Sequence, residues 1–204
     1  MSNSSAVTEP SKVAPGRPRG FDADAALRLA LEVFWSRGYA ATSLDALNEA
    51  MGLSRSSFYA CFGSKHELLI ASVQRYADER FATLTAQATG NPDPRSAIHQ
   101  MLAAIANIEG GSRGCLFVNA VAELAPDDTA MVALAQAHTT RVAALMMHSL
   151  IRLGCAQDEA ADRAGALLAL VMGVTTLCKT GLPTPQLATL LAQAHHLLPR
   201  KKSA

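Results

Sequence analysis

Residues 42–62 read TSLDALNEAMGLSRSSFYACF, and the fold follows from how this stretch is punctuated. Thr42 or Ser43 can cap a short helix through Met51, with Asp45 three residues after Thr42 in capping-box spacing. Gly52 supplies the positive φ that ends it. Ser54 caps a second helix, Arg55 to Phe62, which Gly63 closes. Helix, a tight turn at Met51-Gly52-Leu53-Ser54, then helix is the spacing of a helix-turn-helix. In that motif the second helix lies in the major groove of DNA while the first crosses the backbone. Ser54, Arg55, Ser56, Ser57 and Tyr59 make one end and face of the second helix polar, so hydroxyls and a guanidinium can reach phosphates and base edges. Phe58 and Phe62, four apart, share the face that packs on the preceding helices. Taken alone, the pattern also fits a solvated helical hairpin in any α-domain.

Working outward, Leu27, Ala30, Leu31 and Phe34 repeat at helical spacing before Gly38 stops the run. Ahead of them, residues 1–19 are rich in Ser, Pro, Lys and Arg and read as a mobile basic arm. Downstream, Ser64 caps a helix from Lys65 to about Gln87, and Asn91-Pro92-Asp93-Pro94 breaks it. Further helices are predicted at Arg95 to Ile108, Leu116 to Leu124, Asp127 to Leu153, Asp158 to Lys179 and Pro185 to Leu198. The predicted fold class is all-α. A three-helix helix-turn-helix head (20–64) precedes a larger helical body (65–199) and a basic tail (200–204).

Composition agrees. Half of the 204 residues are apolar and 17% are charged, enough for a sizeable core and too apolar for wholesale disorder. The formal net charge is +1, so any nucleic-acid-binding patch must be local. Met1 to Gly20 lacks the apolar core of a secretory signal, and Ala166 to Val174 falls short of the roughly 20 residues that span a bilayer. No membrane partner is expected. Cys61, Cys115, Cys155 and Cys178 lie far apart without CxxC spacing, reading as reduced thiols of a cytoplasmic protein. The six histidines show no metal-ligand spacing, and there is no nucleophile elbow, phosphate loop or dinucleotide fingerprint. Catalytic residues, metal and cofactor are therefore not expected, and an enzyme or a helical adaptor is the rival reading.

Gly16 to Tyr76 closely resembles the DNA-binding head of the TetR/AcrR family of bacterial regulators. The residues that carry the resemblance are Ala30-Leu31-Glu32-Val33-Phe34, Gly38-Tyr39, Thr42-Ser43-Leu44, Met51-Gly52-Leu53-Ser54, Phe58-Tyr59, Phe62-Gly63-Ser64-Lys65 and Leu68-Leu69. The resemblance implies a cytoplasmic homodimer on a palindromic double-stranded operator. It further implies that the body binds a small-molecule inducer and that the protein represses by blocking promoters. Tyr59, Lys65 and Thr42 or Ser43 match backbone-contact positions, and Arg55, Ser56 and Ser57 match base-reading ones. Ala60 stands where the family often has a basic or polar residue, so one contact is missing. Arg17 and Arg19 are suited to a minor groove, as in other arms.

In the body, Arg113-Gly114-Cys115-Leu116-Phe117-Val118-Asn119 and Glu123-Leu124 resemble one C-terminal type within the same family. Met101, Ile105, Cys115, Phe117, Asn119, Met146 and Cys178 are candidate lining for an apolar ligand pocket. Cys115 has a second reading. It follows Gly114 at a predicted helix start, where the helix dipole favours a thiolate, and similar motifs occur in relatives that resemble electrophile or oxidant sensors. Ala161, Gly165, Ala169 and Gly173 form a small-residue stripe beside Leu168. This suggests close helix packing, and the family resemblance implies that it is a dimer interface.

Overall fold

The computed structural model describes residues 22–200, all of it helices and connecting turns, with no strand among the described residues. Asp22 caps α1 (Ala23–Arg37), Ser43 caps α2 (Leu44–Met51), Ser54 caps α3 (Arg55–Phe62) and Ser64 caps α4 (Lys65–Gly90). In each case the side-chain oxygen accepts a backbone N–H of the first turn, replacing a bond the helix cannot make for itself. Asp93 and Asp128 do the same for α5 (Pro94–Ala106) and α7 (Thr129–Arg152). Between them, α6 (Leu116–Leu124) follows a 3₁₀ segment, Ile108–Arg113, kinked at Gly111. Hydrophobic periodicity gave no sign of that segment. The chain ends with α8 (Gln157–Cys178), α9 (Thr184–Ala192) and a 3₁₀ turn, Gln193–Leu197, where one continuous helix was expected.

Two apolar clusters hold these helices, and the line between them falls within α4 rather than at its start. Leu68, Leu69 and Val73 of α4 pack with Phe34, Leu47 and Phe58 of the head, and with Leu116, Phe117 and Met131 of α6 and α7. Further along α4, Leu84 and Ala88 join Ile98, Met101, Met146, Leu150, Leu167 and Val171 in the body core. At 1.5 Å per residue the 26-residue α4 is a beam of about 39 Å shared by both cores. By length and composition α8 is apolar enough to cross a membrane, beyond what the Ala166 to Val174 stretch indicated. Its inner face is core: Leu167, Leu168, Val171 and Val174 are buried against α5, α7 and α9.

Where α4, α6 and α7 meet lies a polar group. Arg141 Nε donates to His138 Nδ1 at 3.1 Å, Arg141 also pairs with Asp78 at 2.6 Å, and the Phe117 ring is 4.6 Å from His138. Burial, and then the neighbouring guanidinium, push the His138 pKa down from 6.5 to about 4. The folded value lies below the unfolded one, so between these limits the unfolded chain binds the extra proton. The contribution is complete above pH 6.5 and is lost as pH falls towards about 4. Urea unfolding across this window should show stability declining with acid, and His138→Asn should flatten the decline. An unchanged slope in the variant would place its cause elsewhere.

Candidate nucleic-acid interface

The outer face of α3 is set by one buried ring. Phe58 is fully buried beneath α3, which turns Ser54, Arg55, Ser56, Ser57 and Tyr59 outward. Tyr59 is 56% exposed and its ring stands edge-on to Phe58 at 5.5 Å, so the hydroxyl extends from a fixed base. The Ser54 hydroxyl caps α3 and lies 3.0 Å from that of Ser56 and 2.9 Å from that of Ser57, forming a hydroxyl cluster at the helix start. Arg55 reaches back to Asp45 of α2 at 2.7 Å, with both side chains some 70% exposed. An ion pair that open to water is weak, and a phosphate or base edge can replace the carboxylate.

Two residues read as phosphate contacts are engaged inside the fold. Thr42 is buried, and its hydroxyl donates to the Gly38 carbonyl at 2.6 Å. The capping role therefore falls to Ser43, which remains exposed. Lys65 is half-buried. Its Nζ donates to the Tyr39 and Thr42 carbonyls at 2.9 and 2.8 Å and lies 4.2 Å above the Tyr39 ring. A lysine at a helix start suits a phosphate, but here the backbone of the turn before α2 takes the ammonium first. Arg17 and Arg19 lie outside the described residues.

The same turn is gripped from its other side. Glu123 of α6 accepts the Tyr39 and Ala40 N–H groups at 2.8 and 2.7 Å, and a Cβ on Gly38 would come within 3.0 Å of its carboxylate. No local pattern marks this contact, because it joins residues more than 80 positions apart. Arg113 adds a second link: its guanidinium stacks 4.3 Å over Trp35 and pairs with Glu32, while its carbonyl accepts the Trp35 indole N–H.

The candidate pocket residues do not converge. Met101, Met146 and Cys178 are buried in the body core with Ile105 packed against them, whereas Phe117 and Cys115 belong to the other cluster. Close packing accounts for them. Asn119 faces an open cleft beside α1, where its amide donates to the Arg113 carbonyl, and Cys178 borders a smaller, separate one with Ile108 and Leu187. Cys115 is partly exposed at the start of α6, and the Tyr76 hydroxyl donates to its Sγ at 3.5 Å. Burial and that sulfur raise the Tyr76 pKa, so the phenol stays protonated as a donor. In α8, Ala161, Gly165, Ala169 and Gly173 are exposed, while Leu168 points into the core and so leaves the stripe.

Lys65→Met keeps the aliphatic stem and removes both charge-assisted bonds. Each bond is worth about 1.5–3 kcal/mol, so unfolding stability should fall by about 2 kcal/mol or more. Wild-type stability in that variant would mean that Glu123 alone holds the turn.

Residues 26–72 match the family model described as bacterial regulatory proteins, tetR family. The transcriptional repressor ComR of Escherichia coli K12 is 40% identical over 124 residues, and the match spans 59% of this chain and 59% of ComR. The regulator YezE of Bacillus subtilis 168 is 26% identical over 140 residues, covering 67% of this chain and 72% of YezE. A cysteine mutant of the TetR-family regulator CifR, solved with a 26-bp double-strand operator, superposes with a TM-score of 0.78. It is 29% identical and covers 90% of this chain and 100% of its own. These relatives are named as transcriptional regulators, not enzymes. A matched head, a helical body that superposes along nearly its whole length and a polar helix over a buried phenylalanine agree: residues 26–72 form a TetR-family DNA-binding head, and the described chain has the fold of a TetR-family transcriptional regulator.

Proposed function

We propose that the chain is a sequence-specific repressor, acting as a cytoplasmic homodimer on a palindromic operator and released by a small-molecule inducer. The observation that carries this reading is the α3 surface, where an arginine, three serines and an exposed tyrosine stand over the buried Phe58. Arg55, Ser56 and Ser57 read bases; Ser43, Ser54 and Tyr59 hold phosphates. Dimerisation through α8 is supported by its exposed stripe. A Cβ added at Gly165 or Gly173 meets nothing within 4 Å, so packing within the chain does not require either glycine. Each costs the helix about 1 kcal/mol relative to alanine, which close approach by a second copy explains.

The test is binding to a duplex selected from a random pool. Two chains should bind per duplex. Arg55→Ala should cost about 1–3 kcal/mol at one base position while leaving the other positions unaffected. Uniform weakening on every site variant would make Arg55 a phosphate clamp, and failure to select any sequence would overturn the reading.

A second reading places release at Cys115, favoured by the Tyr76 hydroxyl at its Sγ, a donor suited to a thiolate. Alkylation there would force a bulky group between α4 and α6 and shift the heads by population shift. Cys61, exposed on α3, is the internal control, because its modification obstructs DNA directly. Operator binding after N-ethylmaleimide should survive in Cys61→Ser/Cys115→Ser and be lost in Cys61→Ser alone. Equal loss in both makes Cys115 a packing residue.

A further inference from the structure

A cleft of about 610 Å³ opens where the end of α1, the segment before α6, α6 itself and the end of α8 meet. Its size is that of a small-molecule site, and its walls are charged. Arg37 comes from the head, Arg113, Glu123 and Lys179 from the body. Two of these charges are already engaged. Glu123 accepts the two N–H groups of the turn, and Arg113 pairs with Glu32. The Arg37 and Lys179 side chains make no ion pair or hydrogen bond among the described residues, so these two cations share the cleft with one carboxylate, Glu123, whose oxygens are already turned to the N–H groups of the turn.

The lysine is held in place. Gly114 has φ +64°, and a Cβ there would come within 3.0 Å of Lys179 Cγ and 3.2 Å of Cδ. The bare backbone at residue 114 therefore forms the groove in which the lysine stem lies. Gly38 similarly makes room for Glu123 on the opposite wall. Asn119 and Trp35, both fixed by the Arg113 carbonyl, form the polar floor. Like charges brought together from two parts of a chain repel, and an anion between them removes the repulsion and gains charge-assisted bonds.

We propose that this cleft binds a small organic dianion, a dicarboxylate or a phosphate monoester, held between Arg37 of the head and Lys179 of the body. The site lies outside the apolar core. The proposal rests on the ligand-responsive reading above and gives its ligand a chemical class. A bound dianion favours the arrangement in which both cations face one cleft over any that separates them. Head position and ligand affinity are thereby linked, and the linkage is reciprocal.

Calorimetric titration of the full chain with succinate, glycerol 3-phosphate and neutral succinamide tests this. One or both dianions should bind, the diamide should not, and added salt should weaken binding. Whichever dianion binds more tightly tells carboxylate from phosphate. Arg37→Gln and Lys179→Gln, both exposed and with no ion pair to lose among the described residues, should each weaken binding about tenfold, and the double variant should abolish it. Binding retained in the double variant, or absent for both dianions in the wild type, overturns the proposal. With the selected duplex, saturating dianion should change DNA affinity about fivefold or more, and duplex should change dianion affinity by the same factor. An unchanged DNA affinity overturns the linkage. A chain that binds dianion but selects no duplex overturns the repressor reading and leaves the cleft standing. A chain that selects a duplex but binds no dianion overturns the cleft alone.

Discussion

The turn between α1 and α2 belongs to no helix, and besides its own Thr42 it is held by two side chains of opposite charge from elsewhere in the chain. Lys65 donates to the carbonyls of Tyr39 and Thr42, while Glu123 accepts the N–H groups of Tyr39 and Ala40. Unpaired backbone groups in a half-buried turn cost free energy comparable to a lost hydrogen bond each. The turn therefore settles where both partners reach it. Lys65 opens α4 and Glu123 lies near the end of α6, so the position of α2, and with it α3, is referred to both helices at once. His66 of α4, paired with the Asp128 carboxylate that caps α7, extends the same tie by one helix.

This arrangement makes the head and body mechanically continuous. With α4 contributing to both apolar clusters, its two halves cannot move independently without opening one of them. Close-packed interiors resist such openings and switch between discrete arrangements instead of deforming smoothly. The polar links are more sensitive still. A hydrogen bond near 2.8 Å weakens steeply when stretched or bent, so a displacement of α6 by about an ångström would release one of the two N–H groups on Glu123. That carboxylate is the direct hydrogen-bonded link between α6 and the turn that leads into α2.

Much of this was legible in the sequence where physics acts over a few residues. Gly52 ends α2 in the left-handed region, Ser54 and Ser64 cap as their spacing implies, and Phe58 lies inward while Tyr59 lies outward. Ambiguity set in where two residues could serve one role. Thr42 and Ser43 both carry a hydroxyl at a helix start, and only the buried packing around Thr42 assigns the cap to Ser43. What could not be read was tertiary. A lysine opening a helix suits a phosphate and a pair of carbonyls equally well, and the carbonyls of Lys65 come from more than 20 residues upstream. Met101 and Met146 look alike in sequence whether they line a cavity or fill a core, and here they fill it.

The charges of the body follow the same logic. A chain with a formal net charge of +1 has no general attraction for DNA, so each cation must be judged by what already neutralises it. Arg141 is committed to Asp78 and His138, Arg163 to Glu159, and Arg75 to Asp24 and Glu79. Arg55 is committed too, but in a pair whose side chains are both some 70% exposed, so that water or a phosphate displaces the carboxylate at little cost. Desolvation decides the difference. A pair with one side chain largely withdrawn from water, as at Arg75, forfeits more when separated than a pair open on every side. The recognition helix thus carries the arginine whose partner is cheapest to leave, next to hydroxyls that can accept or donate without any charge being moved.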